Sequence, residues 1–332
     1  MKRWLILLLL PLMTACSALP GEERSFAVAL GVSGGEGAWT LYARIPTYQS
    51  SGGYATVKGE GDSLSHAFAA LDAAAPMQLH AGQTRLIVFA ADTARSEAFP
   101  AVVEELGTMR SVRSDAALAV TQAPMDAVME ALVPPTGKRL SKSLDELLQT
   151  RISQGSVLSA SLADVLQMGE RQQAVLMDLR LEGETVLLSG GWPLSAQGQA
   201  SQRLPAEDVA LIALMQGHFR QGTLPLTEGV LRLTEARAEA ELDGPTLQRS
   251  VVRLHLRHAG ASLTDEALSQ AVAAACLGVL GRLSAMGCDA LGLARQAMPH
   301  AQSLADWHEL DWPARYRDME WSVSVGLEGP TQ

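Results

Sequence analysis

The sequence has few aromatic, cysteine and basic residues, and each shortage argues against a class of protein. Among 332 residues, aromatics make up 5 % and there are only three cysteines. Three cysteines cannot build a disulfide-dense scaffold or a four-cysteine metal site. Lys and Arg number 26 against 36 Asp and Glu, which gives a formal net charge of −10. Because proteins that bind a phosphate backbone carry a basic face, this acidic balance predicts no nucleic-acid partner.

Motifs that mark common catalytic and cofactor sites are also scarce. The sequence has no G-x-x-x-x-G-K-[ST] phosphate loop and no H-E-x-x-H zinc motif. His255 and His258 come nearest to a metal pair, but residues three apart on a strand point to opposite faces. We interpret them as surface or edge histidines. The sequence therefore predicts no catalytic residue, no metal ligand and no cofactor.

Long hydrophobic runs are missing apart from one short leader at the N-terminus. Residues 1–16 have a positively charged start, an apolar run from Leu5 to Leu12 and small residues directly before Cys16. This run is shorter than the roughly 20 residues that span a membrane, and no other apolar run is expected to reach that length. The pattern is typical of a bacterial lipobox, in which the cysteine sulfur takes a diacylglycerol. We predict lipidation at Cys16, with an ordinary cleaved secretory leader as the alternative.

Strand patterns in the first half predict a β-rich α/β unit. Residues 26–32 are typical of a buried strand, and the glycine-rich turn after them predicts a hairpin with residues 39–45. The apolar run at 85–90 predicts a central strand, because a strand covered on both faces is continuously apolar. A helix is predicted over residues 91–106.

The last third is predicted to be a long hairpin followed by a long helix. Residues 230–242 and 247–257 alternate in polarity and meet at the turn Asp243-Gly244-Pro245. Thr264 is expected to cap a helix that runs to about residue 286. We favour core packing as the role of this helix, with a membrane-active or partner-binding helix as the alternative.

The two cysteines beyond the leader lie in and just after this helix. Cys276 and Cys288 are twelve residues apart, or about 18 Å along a helix, so a disulfide would require the chain to fold back. We predict two buried or partly exposed thiols, with a disulfide as the alternative.

Proline and glycine clusters predict three domains within an α/β (α+β) fold of mixed or antiparallel sheets packed by helices. The segment Pro134–Gly137 and the pair Gln221-Gly222 interrupt both helix and strand patterns. The predicted divisions are a signal peptide (1–15), a lipid-anchored tether (16–24), an N-terminal α/β domain (25–135), a middle domain (136–221) and a C-terminal α/β domain (222–330).

Three stretches of the sequence carry a resemblance to a known family. They are the leader to Cys16 with the strand at 26–32, the segment Lys58–Leu64 leading to Ala74–Val88, and the stretch from Leu283 to Trp321. In order and spacing they resemble the Ger(x)C family, the C-subunit lipoproteins of spore germinant receptors. The resemblance extends over nearly the whole mature chain.

The resemblance implies a non-enzymatic accessory C subunit at the outer face of the spore inner membrane. Its expected partners are a membrane-embedded A subunit and a permease-like B subunit, with which it would sense nutrients and help to trigger germination. The expected source is an endospore-forming bacterium. A solute-binding lipoprotein of a transport system and an exported hydrolase are the alternatives from other functional classes.

Overall fold

The computed structural model describes residues 24–47, 53–109, 111–135, 137–158, 160–167, 174–226, 229–244, 246–260 and 264–329. Its strands are β1 (Arg24–Phe26), β2 (Ala29–Gly35), β3 (Ala38–Pro46), β4 (Tyr54–Gly61), β5 (Gln78–His80), β6 (Leu86–Ala90), β7 (Ala117–Thr121), β8 (Val175–Glu182), β9 (Thr185–Pro193), β10 (Gly222–Leu226), β11 (Gly229–Asp243), β12 (Arg249–His258) and β13 (Glu320–Glu328). Its α-helices are α1 (Leu64–Ala74), α2 (Ala91–Arg95), α3 (Phe99–Thr108), α4 (Met125–Ala131), α5 (Leu140–Ser153), α6 (Leu162–Gln167), α7 (Ala206–Met215), α8 (Asp265–Ala285), α9 (Ala294–Ala297), α10 (Leu304–Glu309) and α11 (Trp312–Arg317).

Seven strands form a mixed sheet in the order β4-β3-β2-β6-β7-β8-β9. Strands β2, β6, β7 and β8 are parallel neighbours, and antiparallel hairpins extend the sheet at both sides. The predicted central strand is confirmed, because β6 occupies the middle position of the sheet. The predicted hairpin is confirmed as well, since β2 pairs antiparallel with β3.

The continuous apolar run of β6 is explained by cover on both faces of the sheet. Ile87 and Phe89 belong to one buried cluster with residues of α3. Leu86 and Val88 belong to a second cluster with residues of α4 and α5. Since side chains alternate across a strand, helices on both faces leave no side of β6 for polar residues.

Two elements that the sequence predicts as continuous are divided in the structure. Residues 26–32 give β1, which pairs with β5, and β2, which joins the large sheet. Between them the Ala27 N–H donates to His80 and the Val28 N–H to Arg44. The helix predicted over 91–106 is α2 and α3, because the chain is extended at Ser96. Pro100 then lies in the first turn of α3, where proline fits.

A four-stranded sheet in the order β10-β11-β12-β13 forms the C-terminal part of the described chain. The long hairpin is confirmed as β11 and β12, and β13 then pairs parallel to β12. Helix α8 is confirmed with its predicted cap, since the Thr264 Oγ1 accepts a hydrogen bond from the Ala267 N–H at 3.3 Å. These elements confirm the predicted α/β fold class with mixed sheets.

Helix α8 is long and apolar enough to cross a membrane by length and composition alone. The expectation that no apolar run beyond the leader reaches this length is therefore wrong. The core helix of a soluble protein can have the same length and composition. In α8, 39 % of the apolar 18-residue stretch is buried inside the protein. Val272 and Val279 of α8 share one buried cluster with Leu231 and Val252 of the sheet, so one side of the helix is a core side.

The seven-stranded sheet contains strands from both sides of the predicted domain boundary at 135/136. Strands β8 and β9 follow that boundary in the chain and extend the sheet next to β7. Helix α7, within the predicted middle domain, has residues 209–215 buried in the same cluster as the four-stranded sheet. The three-domain division itself stays a prediction.

Candidate functional site

The predicted lipidation residue, Cys16, lies outside the described residues. The described chain begins at Arg24, the first residue of β1, which is held beside β5. Lipidation of Cys16 and the tether at 16–24 therefore stay predictions that rest on the sequence.

The two histidines of β12 lie on opposite faces, as their spacing predicts. His255 is exposed and His258 is 4 % exposed. Strand β12 lies between β11 and β13, so the interpretation as surface or edge residues is wrong for His258. The His258 Nδ1 accepts a hydrogen bond from the Gly260 N–H at 3.2 Å, and its Nε2 therefore donates to the Asp265 carboxylate at 3.0 Å. The residue joins the end of β12 to the start of α8. Within the described ranges, no group of three His, Cys, Asp or Glu could hold a metal ion.

Cys276 and Cys288 are free thiols in the buried interior, which confirms the prediction of thiols. Burial raises the pKa of Cys276 from 9.0 to about 12. The pKa of Cys288 is also raised, first by burial and then by the nearby Asp289 carboxylate. A thiol with so high a pKa is not a nucleophile at neutral pH, so neither cysteine is placed for covalent chemistry.

Residues 31–35 spell G-x-S-x-G, the letters of a hydrolase nucleophile elbow. An elbow places its serine on a sharp turn between a strand and a helix. Ser33 instead lies within β2 opposite Thr40, and β2 continues through a turn into β3. The local structure therefore does not present Ser33 as a nucleophile.

Two buried carboxylates connect separate elements of the fold. Asp178 accepts hydrogen bonds from the Trp192 Nε1 at 2.8 Å and from the Arg203 Nε at 2.6 Å. Asp208 of α7 accepts from the Nε and Nη2 of Arg282 of α8, at 2.9 and 2.6 Å. Loss of a partner would leave either carboxylate buried and uncompensated, so these partners have a structural role here.

A third buried carboxylate organises the chain after α8. Burial raises the pKa of Asp289, although it accepts hydrogen bonds from the backbone N–H groups of Leu293 and Ala294. The Trp312 Nε1 donates to the same carboxylate at 3.1 Å. These bonds fix the turn before α9 and the position of α11. The arrangement is that of a capping residue rather than of a general acid.

A groove of about 520 Å³ lies between α5 and β9. Leu144, Leu147 and Val186 form much of its apolar lining. At its rim the Lys138 Nζ donates to the Glu146 carboxylate at 2.6 Å. An apolar floor with an ion-paired rim fits an apolar group of a ligand or a partner. Residues 131–135 and 138–154 form one part of its walls, and residues 184–186 of the β8–β9 hairpin form the other. Local sequence patterns do not indicate that these two parts of the chain lie together.

One face of the four-stranded sheet is exposed and carries alternating charges. Four cross-strand ion pairs connect the Arg side chains of β12 to the acidic side chains of β11 and β13. They are Arg249–Glu320 at 2.7 Å, Arg253–Glu241 at 2.6 Å, Arg257–Glu235 at 3.1 Å and Arg257–Glu328 at 3.0 Å. Exposed pairs of this kind contribute little stability, about 0–1 kcal/mol each.

Comparison with known proteins supports the family resemblance. Residues 20–177, a little under half of the chain, match the family of the spore germination protein N-terminal domain. This part of the chain therefore resembles the spore germination proteins of the Ger(x)C family. The match starts four residues after Cys16 and ends within β8. No curated protein matches the sequence.

The fold of this protein resembles that of a solved structure over almost its whole length. The crystal structure of the GerBC protein is similar with a TM-score of 0.59 and 9 % sequence identity. The similarity covers 92 % of this chain and 98 % of that chain. The shared fold therefore includes the four-stranded sheet and α8, beyond the residues of the family match. The resemblance inferred from the sequence is confirmed, and Ger(x)C proteins act in spore germination as members of membrane-associated receptor complexes.

Proposed function

We propose that this protein is the lipid-anchored C subunit of a nutrient germinant receptor and acts without enzymatic chemistry. It is held at the outer face of the spore inner membrane by acyl chains on Cys16. There it contacts a membrane-embedded A subunit and a permease-like B subunit and helps to trigger germination. The observation that carries the proposal is the match to the spore germination domain from residue 20, directly behind the lipobox-like leader.

The position of the leader supports the lipid anchor on physical grounds. A lipidated terminus with two or three acyl chains holds a protein firmly, since each buried methylene contributes about 0.8 kcal/mol. Confinement at the membrane also raises the effective concentration of the subunits for one another. A short tether between Cys16 and Arg24 would keep β1 and the large sheet close to the membrane surface.

The alternative of a solute-binding lipoprotein has less support in the fold. Such proteins bind solutes in a cleft between two similar α/β lobes. The two main sheets of this chain differ in strand number and in strand order. Among the described residues, the long hairpin β11–β12 with α8 has no counterpart around the seven-stranded sheet.

Mass spectrometry of the mature N-terminus tests the anchor. The expected species begins at Cys16 and carries a diacylglycerol, and the variant Cys16→Ala is expected to stay unprocessed or to be shed from the membrane. The neighbouring variant Ser17→Ala is the matched control and should be processed normally. An unmodified terminus downstream of Cys16 would end the anchor proposal.

Spore assays test the receptor role separately from the anchor. Spores that lack the protein should form normally but respond weakly to a nutrient, and the A and B subunits should co-purify with the protein from spore membranes. Replacing His255, which is exposed and outside any described metal group, should leave germination unchanged. Normal germination of the deletion spores on every nutrient tested would refute the receptor role.

A further inference from the structure

The first described residue, Arg24, lies at the amino end of a small parallel sheet. Strands β1 and β5 are parallel, with Arg24 opposite Gln78. The amino ends of parallel strands lie at the same end of a sheet, and neighbouring strands are about 4.8 Å apart. The residues that precede Arg24 and the turn that precedes Gln78 therefore reach the sheet side by side.

The lipid anchor proposed for Cys16 limits which end of the fold can face the membrane. Cys16 precedes Arg24 by eight residues, a distance of at most about 28 Å in a fully extended chain. The turn at 36–37 lies at the far end of β2, which follows β1 and whose seven residues span about 23 Å. The end of the fold at which β1 starts is therefore held nearest to the acyl chains.

This end of the fold carries an exposed turn without charged side chains. Ala73 and Ala74 at the end of α1 and Pro76 in the turn are exposed, and Met77 is half-buried. Residues 73–84 contain no Asp, Glu, Lys or Arg, although these residues make up 19 % of the chain. The turn therefore presents small apolar groups at its surface.

The titratable side chains on either side of this turn are bonded to β5 and the loop after it. The Asp72 carboxylate accepts a hydrogen bond from the Leu79 N–H at 2.6 Å. The His80 Nδ1 accepts from the Gly82 N–H at 3.1 Å, and the His80 ring meets the Phe26 ring edge-on, with 5.6 Å between their centroids. These contacts hold both side chains against the β1–β5 sheet.

A second exposed apolar residue lies at the same end of the fold. Strand β3 is antiparallel to β2, with Arg44 opposite Ala29, so its last residue, Pro46, extends past the start of β2 toward β1. Pro46 is exposed. The nearby Arg44 is buried, and its Nε donates to the Leu132 carbonyl at 3.2 Å. Its charge is therefore directed into the protein and away from this surface.

We infer that the turn Ala73–Met77, together with Pro46, rests on the lipid surface into which the acyl chains of Cys16 insert. Contact with lipid removes the exposed apolar groups of the turn from water, which is favourable. The tether carries Glu22 and Glu23, so the contact depends on apolar burial and not on attraction to anionic lipids. The inference rests on the proposed anchor and adds which side of the protein faces the membrane.

Cross-linking from a photoactivatable phospholipid tests the inference on the chain that begins at Cys16. The Cys16 thiol is coupled to a maleimide lipid in phosphatidylcholine vesicles that also contain a phospholipid with a diazirine near its headgroup. The thiols of Cys276 and Cys288 are buried and should not compete. Lipid adducts are expected in 73–77 and at Pro46, and they should be absent from 36–37. Protein whose Cys16 is blocked with N-ethylmaleimide is the control and should show no such enrichment.

The double variant Ala74→Glu/Pro76→Glu tests whether the apolar surface of the turn makes the contact. It should lower the yield of adducts in 73–77 about 5- to 30-fold, as expected when a few apolar groups are no longer buried. The matched control Ala38→Glu places a charge at the exposed far end of the β2–β3 hairpin and should leave the yield unchanged. Circular dichroism checks that both variants are folded.

Three results would refute the inference. They are the absence of adducts from 73–77, an equal yield at 36–37, and an unchanged yield in the double variant. Because Cys16 is coupled chemically, none of these results depends on lipidation in the cell, which mass spectrometry of the mature N-terminus tests separately.

Spore membranes distinguish lipid from protein as the partner of the turn. Full-length protein in which the photoreactive residue benzoylphenylalanine replaces Ala74 should form adducts with lipid. An adduct with another receptor subunit would overturn the inference, because a protein surface would then cover the turn.

Discussion

Replacing Arg282 with glutamine should destabilise the protein more than replacing Asp208 with asparagine, although both changes break the same ion pair. The asymmetry follows from exposure, since the Asp208 side chain is 7 % exposed and the Arg282 side chain 52 %. Water can solvate a half-exposed guanidinium after its partner is lost. It cannot reach a carboxylate that stays buried between α7 and α8.

The magnitudes follow from the burial of the group that is left behind. Breaking a fully buried pair by removing one partner costs about 3–5 kcal/mol, and an exposed pair contributes about 0–1 kcal/mol. For Arg282→Gln, which leaves the buried carboxylate, we expect a loss of about 2–3 kcal/mol in the free energy of unfolding. For Asp208→Asn, which leaves the half-exposed cation, we expect about 1 kcal/mol.

Urea unfolding followed by circular dichroism measures both effects. The midpoint should fall while the slope with urea stays constant, which indicates a change in stability alone. The double variant should cost less than the sum of the single variants, because the buried charge and its partner are removed together. The exposed pair Arg249–Glu320 is the control, and its single variants should each cost less than about 1 kcal/mol. An Asp208→Asn variant that loses as much stability as Arg282→Gln would refute the reasoning.

Three further predictions concern the thiols, a helix cap and a domain boundary. Cys276 and Cys288 should not react with a thiol reagent in the native protein. Rapid labelling of the native protein would contradict this expectation. The pKa of Cys276 is raised from 9.0 to about 12 in the folded protein, so the thiol loses its proton at a lower pH in the unfolded chain. The free energy of unfolding should therefore fall as the pH rises above 9. Thr264→Ala should lower the free energy of unfolding by about 1 kcal/mol in urea titrations, since it removes the cap of α8. Limited proteolysis near 134–137 should leave both fragments together in gel filtration, because strands from both sides share one sheet; immediate separation would show that the sheet does not hold them.

The parts of the fold that could be predicted from the sequence are those whose patterns are local. The alternation of β11 and β12 and the apolar run of β6 are properties of single segments, and each gave a strand at the predicted place. The cap at Thr264 is local as well, because a threonine at the first turn bonds a backbone N–H three residues on. These local patterns predict the structure correctly because the tertiary contacts favour the same strands and the same helix cap.

The elements that could not be predicted depend on contacts between distant segments. Strand β5 has three residues and exists because β1 pairs with it, a partner more than fifty residues away. The α5 groove has the same origin, since its walls come from separate segments. Spacing alone contains no information about these partners.

The end of the family match shows how a sequence boundary can differ from a structural one. The match ends at residue 177, within β8, whereas the large sheet continues through the hairpin to Pro193 at the end of β9. A fragment that ended at 177 would lose the last residues of β8 and all of β9. Gly191 of β9 is also bridged to Leu204, so a segment that follows the hairpin contacts the outer strand of the sheet. A fragment of the N-terminal part should therefore extend beyond residue 204 if it is to keep the sheet whole.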